Sequence, residues 1–271
     1  MAHLFQVGAG SGGMHALDAI ARDPRITHVT LLDPDTYQEH NIDRHLFGRF
    51  GIGKSKVELA VEWLQHRRPE LVIEALTWDL CDSAHSQEIE TRVAQCDIGV
   101  CAADNEAAKF HFDALFRNNK KPWTLGEVLS GGIGGLVHRF IPGGPCYGCV
   151  SSHLKREANE APAEPAPDYS APGGPVEAAR IPASKAAVAA IGGLHALLTL
   201  DLLETPPVDP GFTTLLLSLK RVRGVFDDPY RPFRFRVPRL PDCLICGTQT
   251  GRSPEDLDVA LDEAFTRLGN G

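Results

Sequence analysis

The sequence predicts an α/β fold, a mostly parallel β-sheet with helices on both faces. Three observations support this prediction. Short apolar runs typical of buried strands alternate with segments whose apolar residues recur every three or four positions. A glycine-rich turn follows the first of these runs. The composition, with 43% hydrophobic and 23% charged residues in 271, is that of a globular protein.

The first hundred residues predict the parallel part of the sheet. A strand at 4–7 is followed by a helix that ends near Asp23, a strand at 28–32 and a helix at 54–65. Two further runs, at 71–76 and 98–101, predict buried strands. Strands that alternate with helices usually pair in parallel, because each helix crosses back over one face of the sheet.

The second half of the chain predicts a different organisation. Residues 155–182 contain six prolines and few large apolar side chains, which predicts a flexible loop. Ser184 is the expected N-cap of a long buried helix that ends before Pro206. Strands are expected at 212–220 and 233–237, as a small antiparallel subregion, and an amphipathic helix at 252–271.

The glycine-rich turn predicts a Rossmann-like nucleotide site. Gly8, Gly10 and Gly13 form G-x-G-x-x-G between the first strand and the first helix, so that a phosphate can approach the helix N-terminus. Asp33 lies 20 residues beyond Gly13, at the end of the second strand, where a carboxylate can bind ribose hydroxyls. These features alone also fit a nicotinamide-dependent dehydrogenase.

Charged residues farther along favour a triphosphate over a dinucleotide. Arg44 and Lys56 would supply the positive charge that a triphosphate needs. Asp104 ends the strand at 98–101, and a carboxylate at that sheet edge can hold Mg²⁺. Each residue also has an ordinary interpretation, since Arg44 can be a solvated loop residue and Asp104-Asn105 can cap the next helix.

Four of the seven cysteines form two C-x-x-C pairs, Cys146 with Cys149 and Cys243 with Cys246. Two such turns can close a tetrahedral Zn²⁺ site with no open position, so the predicted zinc is structural. A redox pair is the competing interpretation. The other three cysteines are expected to be two buried core residues, Cys96 and Cys101, and a surface or partly buried residue, Cys81.

Taken in order, these motifs resemble the ThiF/HesA/MoeB family of adenylyltransferases, which are related to ubiquitin-activating enzymes. The resemblance implies that ATP and Mg²⁺ are used to convert the C-terminal carboxylate of a ubiquitin-like or sulfur-carrier protein, usually ending in Gly-Gly, into an acyl-adenylate. It also implies a homodimer, and it implies that Arg44, Lys56 and Asp104 are the catalytic residues. The nucleotide-binding residues that it implies are Gly8, Gly10, Ser11, Gly12, Gly13, Asp33, Asp35, Asn41, Arg44, Lys56, Asp104 and Asn105.

On this basis we divide the chain into four segments. Residues 1–154 are expected to form the adenylation region with the first zinc knuckle, and 155–182 the flexible crossover loop. Residues 183–251 would add the buried helix, the antiparallel strands and the second zinc knuckle to the same domain. Residues 252–271 would form the C-terminal helix.

One departure from the family concerns the crossover loop, where many relatives carry a cysteine that takes the activated tail as a thioester. In this chain the corresponding position is Pro175, and no cysteine occurs between Cys149 and Cys243. We therefore expect the reaction to stop at the adenylate, which passes to an external thiol or sulfur. A non-catalytic nucleotide-binding scaffold is the alternative.

The charge balance excludes some classes of partner. The chain has 27 Lys plus Arg and 35 Asp plus Glu, a net charge of −8, which argues against nucleic-acid binding. It shows neither a signal peptide nor an uninterrupted membrane span, so we expect a cytoplasmic protein that binds no membrane. A run of cations is expected to be either a solvated face or a dock for an acidic partner: Lys220, Arg221, Arg223, Arg231, Arg234, Arg236 and Arg239.

Overall fold

A computed structural model of the chain describes residues 1–154, 183–205 and 209–247. Within these ranges the strands are β1 (Ala2–Val7), β2 (Ile26–Leu32), β3 (Val72–Leu76), β4 (Ile98–Cys101), β5 (Trp123–Val128), β6 (Gly134–Phe140), β7 (Thr214–Ser218) and β8 (Pro232–Phe235). The α-helices are α1 (Ser11–Ile20), α2 (Lys56–Gln65), α3 (Ser86–Gln95), α4 (Glu106–Asn118), α5 (Tyr147–His153) and α6 (Lys185–Asp201).

The strands form one sheet in the order β3-β2-β1-β4-β5-β6-β7-β8. The first five are parallel, and β6, β7 and β8 continue the same sheet in antiparallel pairing. The antiparallel subregion is therefore an extension of the main sheet. Because β1 lies between β2 and β4, the crossovers leave it in opposite directions, and this change of direction opens a crevice at the carboxyl ends of the strands.

Helices cover both faces of the sheet, as predicted. One core contains α1, α2 and part of α6, with Leu17 and Val57 among its buried residues. A second core contains α3, α4 and α5, with Val93, Phe112 and Val150. A smaller third cluster packs α6 against β6 and β7. The apolar residues of β1 alternate between the first two cores, because successive side chains of a strand point to opposite faces.

The structure confirms most predicted elements and corrects one. The strand predicted as buried at 71–76 is β3, which lies at the sheet edge, where Val72 is 56% exposed. The apolar run of β3 predicts full burial, but an edge strand has a neighbouring strand on one side only, so part of it stays exposed to solvent. The strands β5 and β6 were not predicted, and β7 and β8 are shorter than expected.

The long helix α6 begins as predicted, since Ser184 Oγ accepts the Ala187 N–H at 3.2 Å. It packs closely on α1, where a Cβ at Gly192 would lie 2.6 Å from His15 Cβ. The loop at 155–182 and the helix at 252–271 lie outside the described residues. In the described ranges, we find no helix with both the length and the apolar character needed to cross a membrane.

Candidate functional site

The glycines of the turn between β1 and α1 divide into two kinds. Gly8 has φ +95°, and a Cβ there would lie 2.6 Å from the Ala102 carbonyl oxygen. A Cβ at Gly13 would lie 2.1 Å from the carbonyl oxygen of Gly8. At Gly10 and Gly12 a Cβ would meet nothing within 4 Å. Two glycines are thus required by packing within the protein, whereas the other two face open space beside the N-terminus of α1.

That open space belongs to a crevice with a volume of about 680 Å³. It lies at the carboxyl ends of the parallel strands, where α1 presents its first backbone N–H groups. All twelve nucleotide-binding residues implied by the family resemblance line it: Gly8, Gly10, Ser11, Gly12, Gly13, Asp33, Asp35, Asn41, Arg44, Lys56, Asp104 and Asn105. Residues from five separate stretches of the chain therefore meet at one crevice.

Asp33 stabilises the glycine turn through its own carboxylate. Its Oδ2 accepts the Ala9 N–H at 2.6 Å and its Oδ1 accepts the Asp35 N–H at 2.8 Å. Burial raises the pKa of this carboxyl group, while the Lys56 charge and the two N–H groups act in the opposite direction. Asp33 thus joins the end of β2 to the turn after β1, and its remaining lone pairs can accept hydrogen bonds from a ligand.

The Lys56 ammonium lies inside the crevice and is held by one carboxylate. Its Nζ donates to Asp35 Oδ2 at 2.6 Å. The Lys56 side chain is only 10% exposed, whereas that of Asp35 is 63% exposed. An anion in the crevice would therefore meet a preoriented ammonium group whose partner is largely solvated.

Arg44 is carried by a loop that Asn41 closes on itself and that His45 attaches to the glycine turn. Asn41 Oδ1 accepts the Gln38 N–H at 2.9 Å. His45 Nε2 lies 2.9 Å from the Ala9 carbonyl oxygen, and its Nδ1 lies 3.4 Å from the Phe47 N–H. Burial lowers the pKa of His45 to about 4, so the ring is neutral, with Nε2 as the donor. The sequence prediction assigned no role to His45.

The strand β4 delivers Asp104 and Asn105 to the opposite wall of the crevice. Asn105 Oδ1 accepts the Ala108 N–H at 2.7 Å and so caps α4. Its side chain therefore has a structural role, whereas Asp104 faces the crevice as a carboxylate. A single carboxylate that shares Mg²⁺ with substrate phosphates is a common arrangement, so this residue fits that ion.

Sequence reasoning missed an ion cluster in the wall of the crevice. Lys109 Nζ donates to Glu106 Oε1 and to Glu127 Oε1, both at 2.7 Å. His138 Nε2 lies 3.1 Å from Glu127 Oε2, and the Tyr147 hydroxyl donates to Glu106 Oε2 at 2.7 Å. The spacing of Glu106 and Lys109 on one helix was a readable signal. The position of Glu127 depends on strand pairing.

The four cysteines of the two C-x-x-C pairs come together at the N-terminus of α5, where Cys146 is the N-cap. Their sulfur atoms all lie within 4.8 Å of one another, and Cys146 Sγ is 3.7 Å from Cys149 Sγ and 3.6 Å from Cys243 Sγ. A tetrahedral Zn²⁺ with Zn–S bonds of about 2.3 Å needs sulfur atoms about 3.8 Å apart. The Leu240 N–H lies 3.4 Å from Cys149 Sγ. This donor set fits a structural zinc ion.

The other three cysteines lie as predicted. Cys96 and Cys101 are fully buried, and burial raises the pKa of each thiol to about 12. Cys81 is exposed. A buried thiol with a raised pKa is a poor nucleophile, so Cys96 and Cys101 serve as small apolar core residues.

Comparisons with known proteins give a consistent result. The sequence profile of the ThiF family matches residues 2–231. Ubiquitin-like modifier-activating enzyme 5 of Drosophila mojavensis is 25% identical over 153 residues, which is 53% of this chain and 38% of that enzyme. The enzyme of the same name from Rattus norvegicus is 22% identical over the same shares. The chain thus spans 38% of the length of these two relatives.

Solved structures share the fold. E. coli MccB with ATP has a TM-score of 0.65 and 17% identity, over 91% of this chain and 67% of that chain. The microcin C7 biosynthetic enzyme MccB in complex with N-formylated MccA has a TM-score of 0.66 at 17% identity, over the same shares. At this identity the likeness concerns the fold alone.

Proposed function

Because the chain belongs to the ThiF family, we propose that it is an ATP-dependent adenylyltransferase that activates the C-terminal carboxylate of a small protein or peptide. The observation that carries this proposal is the convergence of the N-terminus of α1, Arg44, Lys56 and Asp104 on one crevice. Attack on a phosphate requires fixed positive groups around the phosphate chain, because negative charge builds up on the phosphates during the reaction.

In the proposed reaction the partner's carboxylate oxygen attacks the α-phosphorus of ATP. A carboxyl–phosphate bond forms, the bond between the α-phosphorus and the bridging oxygen breaks, and pyrophosphate leaves with that oxygen. Arg44, Asn41 and Lys56 would bind the phosphates, and Asp33 the ribose. Asp104 would hold Mg²⁺, which neutralises phosphate charge. No side chain is needed as a nucleophile, so catalysis rests on positioning and charge.

The finer identity of the partner is also a proposal. The named relatives activate ubiquitin-like modifiers, and MccB has been solved with MccA, so a ubiquitin-like or sulfur-carrier protein ending in Gly-Gly, or a peptide, fits the family. We propose that the enzyme works as a cytoplasmic homodimer with a structural zinc. Because no cysteine occurs between Cys149 and Cys243, the adenylate would pass to an external thiol or sulfur.

Exchange of labelled pyrophosphate into ATP tests this function directly. The substrates are ubiquitin-like proteins that end in Gly-Gly, together with short peptides, and each is compared with its C-terminal carboxamide. We expect exchange with the free carboxylate only. In Asp104→Ala the exchange should fall about a hundredfold or more, whereas the exposed Asp227→Ala variant should retain it.

The same assay separates the alternatives. ATP binding without exchange for any carboxylate would indicate a nucleotide-binding scaffold. Binding of NADH without binding of ATP would indicate a dehydrogenase. Exchange that persists in Asp104→Ala would remove Asp104 as the Mg²⁺ ligand and leave the activity itself in place.

A further inference from the structure

A second cavity, of about 350 Å³, lies at the opposite end of the sheet from the crevice. The crevice is lined by the last residues of β5, whereas this cavity is lined by its first residue, Trp123. Phe140, at the end of β6, stacks on Trp123 with ring centroids 3.9 Å apart. The turn after β6, including Ile141, and the second zinc knuckle, including Ile245, form further walls. The cavity is thus separate from the proposed active site.

Positive charge is concentrated around this cavity. Four cations line it, namely Arg117, Lys120, Lys121 and Arg239, against one carboxylate, Asp113. Asp113 is already engaged: its Oδ1 accepts the Tyr147 N–H at 3.0 Å, and its Oδ2 lies 3.6 Å from Arg117 Nε. Cys146 and Cys246 also line the cavity, and a Zn²⁺ ion held by the four thiolates would add two negative charges to that of Asp113. The four cations still exceed this negative charge by one, in a chain whose net charge is −8.

Two of the four cations are held by backbone carbonyl oxygens and still have donors available. Lys121 Nζ donates to the Cys96 carbonyl oxygen at 2.7 Å, and Arg239 Nη2 donates to the Cys246 carbonyl oxygen at 2.5 Å. An ammonium has three N–H donors and a guanidinium has five, so each keeps donors for a ligand. The Lys120 ammonium makes no hydrogen bond or ion pair with the residues that the structure describes.

Lys120 has a backbone conformation that favours glycine. Its φ is +52°, and it follows α4 in a Schellman turn, in which the Lys120 N–H bonds the Arg117 carbonyl and the Lys121 N–H bonds the Phe116 carbonyl. This position usually carries glycine, because a side chain there is strained. The helix dipole favours cations near a helix C-terminus. The helix dipole does not explain why a lysine occupies the strained position. It also does not explain why Arg239, from a distant segment of the chain, lies at the same cavity.

We propose that this cavity binds a phosphate dianion, either free or carried by a small organic molecule. A tetrahedral anion with two charges accepts hydrogen bonds from several directions, which suits two ammonium and two guanidinium groups that come from separate segments. The volume lies at the small end of the range for ligand sites. The proposal does not depend on the adenylyltransferase function.

The substitution Lys120→Gly tests the site without endangering the fold, because glycine suits the positive φ. Calorimetric titration with inorganic phosphate compares the wild type with three variants. Lys120→Gly should bind phosphate about tenfold more weakly, through the loss of one charge-assisted hydrogen bond, while its melting temperature is equal to or above that of the wild type. The exposed Arg223→Gln variant, outside both cavities, should bind normally.

The crevice is also expected to attract phosphate, and Arg44→Gln separates the two sites. Binding that survives Arg44→Gln and weakens in Lys120→Gly supports the proposal. Binding that Arg44→Gln abolishes and Lys120→Gly leaves unchanged overturns it, as does an absence of phosphate binding in the wild type. Phenyl phosphate identifies the source: tighter binding than inorganic phosphate indicates an organic ligand that contacts Ile141, and equal binding indicates free phosphate.

Discussion

Replacing Gly12 by alanine should move stability and nucleotide binding in opposite directions. Gly12 lies in the first turn of α1, and a Cβ there would meet no atom of the protein within 4 Å. Alanine is favoured over glycine in a helix by up to about 1 kcal/mol. We therefore expect the free energy of unfolding to rise by about 0.5–1 kcal/mol, which corresponds to a few degrees in melting temperature for a chain of this size.

The same methyl group would occupy the space through which a phosphate reaches the backbone of α1. Lengthening one charge-assisted hydrogen bond is expected to weaken ATP binding about tenfold or more. Thermal denaturation with and without ATP measures both effects at once. The melting temperature should rise without ATP, and the increase that ATP produces should shrink.

Gly13→Ala is the matched control, one residue farther along the same helix. Its Cβ would overlap the Gly8 carbonyl oxygen at 2.1 Å, so the variant should be destabilised by about 2 kcal/mol or more. If Gly12→Ala left the ATP-dependent increase unchanged, phosphate would not bind at the N-terminus of α1. If Gly12→Ala destabilised the protein as much as Gly13→Ala does, the Gly12 methyl group would not lie in open space.

Three further predictions concern the metal, the buried histidines and the ion cluster. Cys149→Ser should lose the stoichiometric zinc measured by elemental analysis, and its free energy of unfolding should fall by several kcal/mol, because the metal joins two distant segments. Burial lowers the pKa of His45 and His195 to about 4 from 6.5, so the unfolded chain takes up protons first as the pH falls. Urea unfolding should therefore show that the free energy of unfolding falls between pH 6.5 and pH 4, by about 2 kcal/mol per histidine at pH 5. In His195→Gln the free energy of unfolding should depend less on pH. An identical pH dependence in that variant would show that His195 is not a source of the loss. Lys109→Met should leave two carboxylates without their shared cation and cost about 3 kcal/mol by urea unfolding, and a neutral result would show that other groups compensate for its charge.

Local patterns predicted much of the fold correctly. The sequence predicted the strands β1, β2 and β4 and the helix α6 because apolar spacing and a capping serine can be recognised within a few consecutive residues. The C-x-x-C pairs predicted the cysteine cluster for the same reason, since each pair forms a local turn. The prediction for β3 went wrong on burial, because edge or central position depends on the order of strands in the sheet.

The candidate site was predictable as a set of residues and not as a set of contacts. Local sequence indicated that Asp33 ends a strand, but not that its carboxylate accepts the Ala9 N–H. It also gave no indication that Lys56 pairs with Asp35. Such contacts depend on how distant segments are positioned relative to one another.

The glycine turn, the strand–helix alternation and the cysteine pairs could be recognised from the chain alone, because each depends on residues close together in sequence. The convergence of Asp33, Lys56 and Asp104 depends on β1 lying between β2 and β4, which long-range pairing determines. The same holds for the cluster around Lys109 and for the positive cavity beside Lys120. Their members come from separate segments, and only the packing of the sheet and its helices brings those segments together.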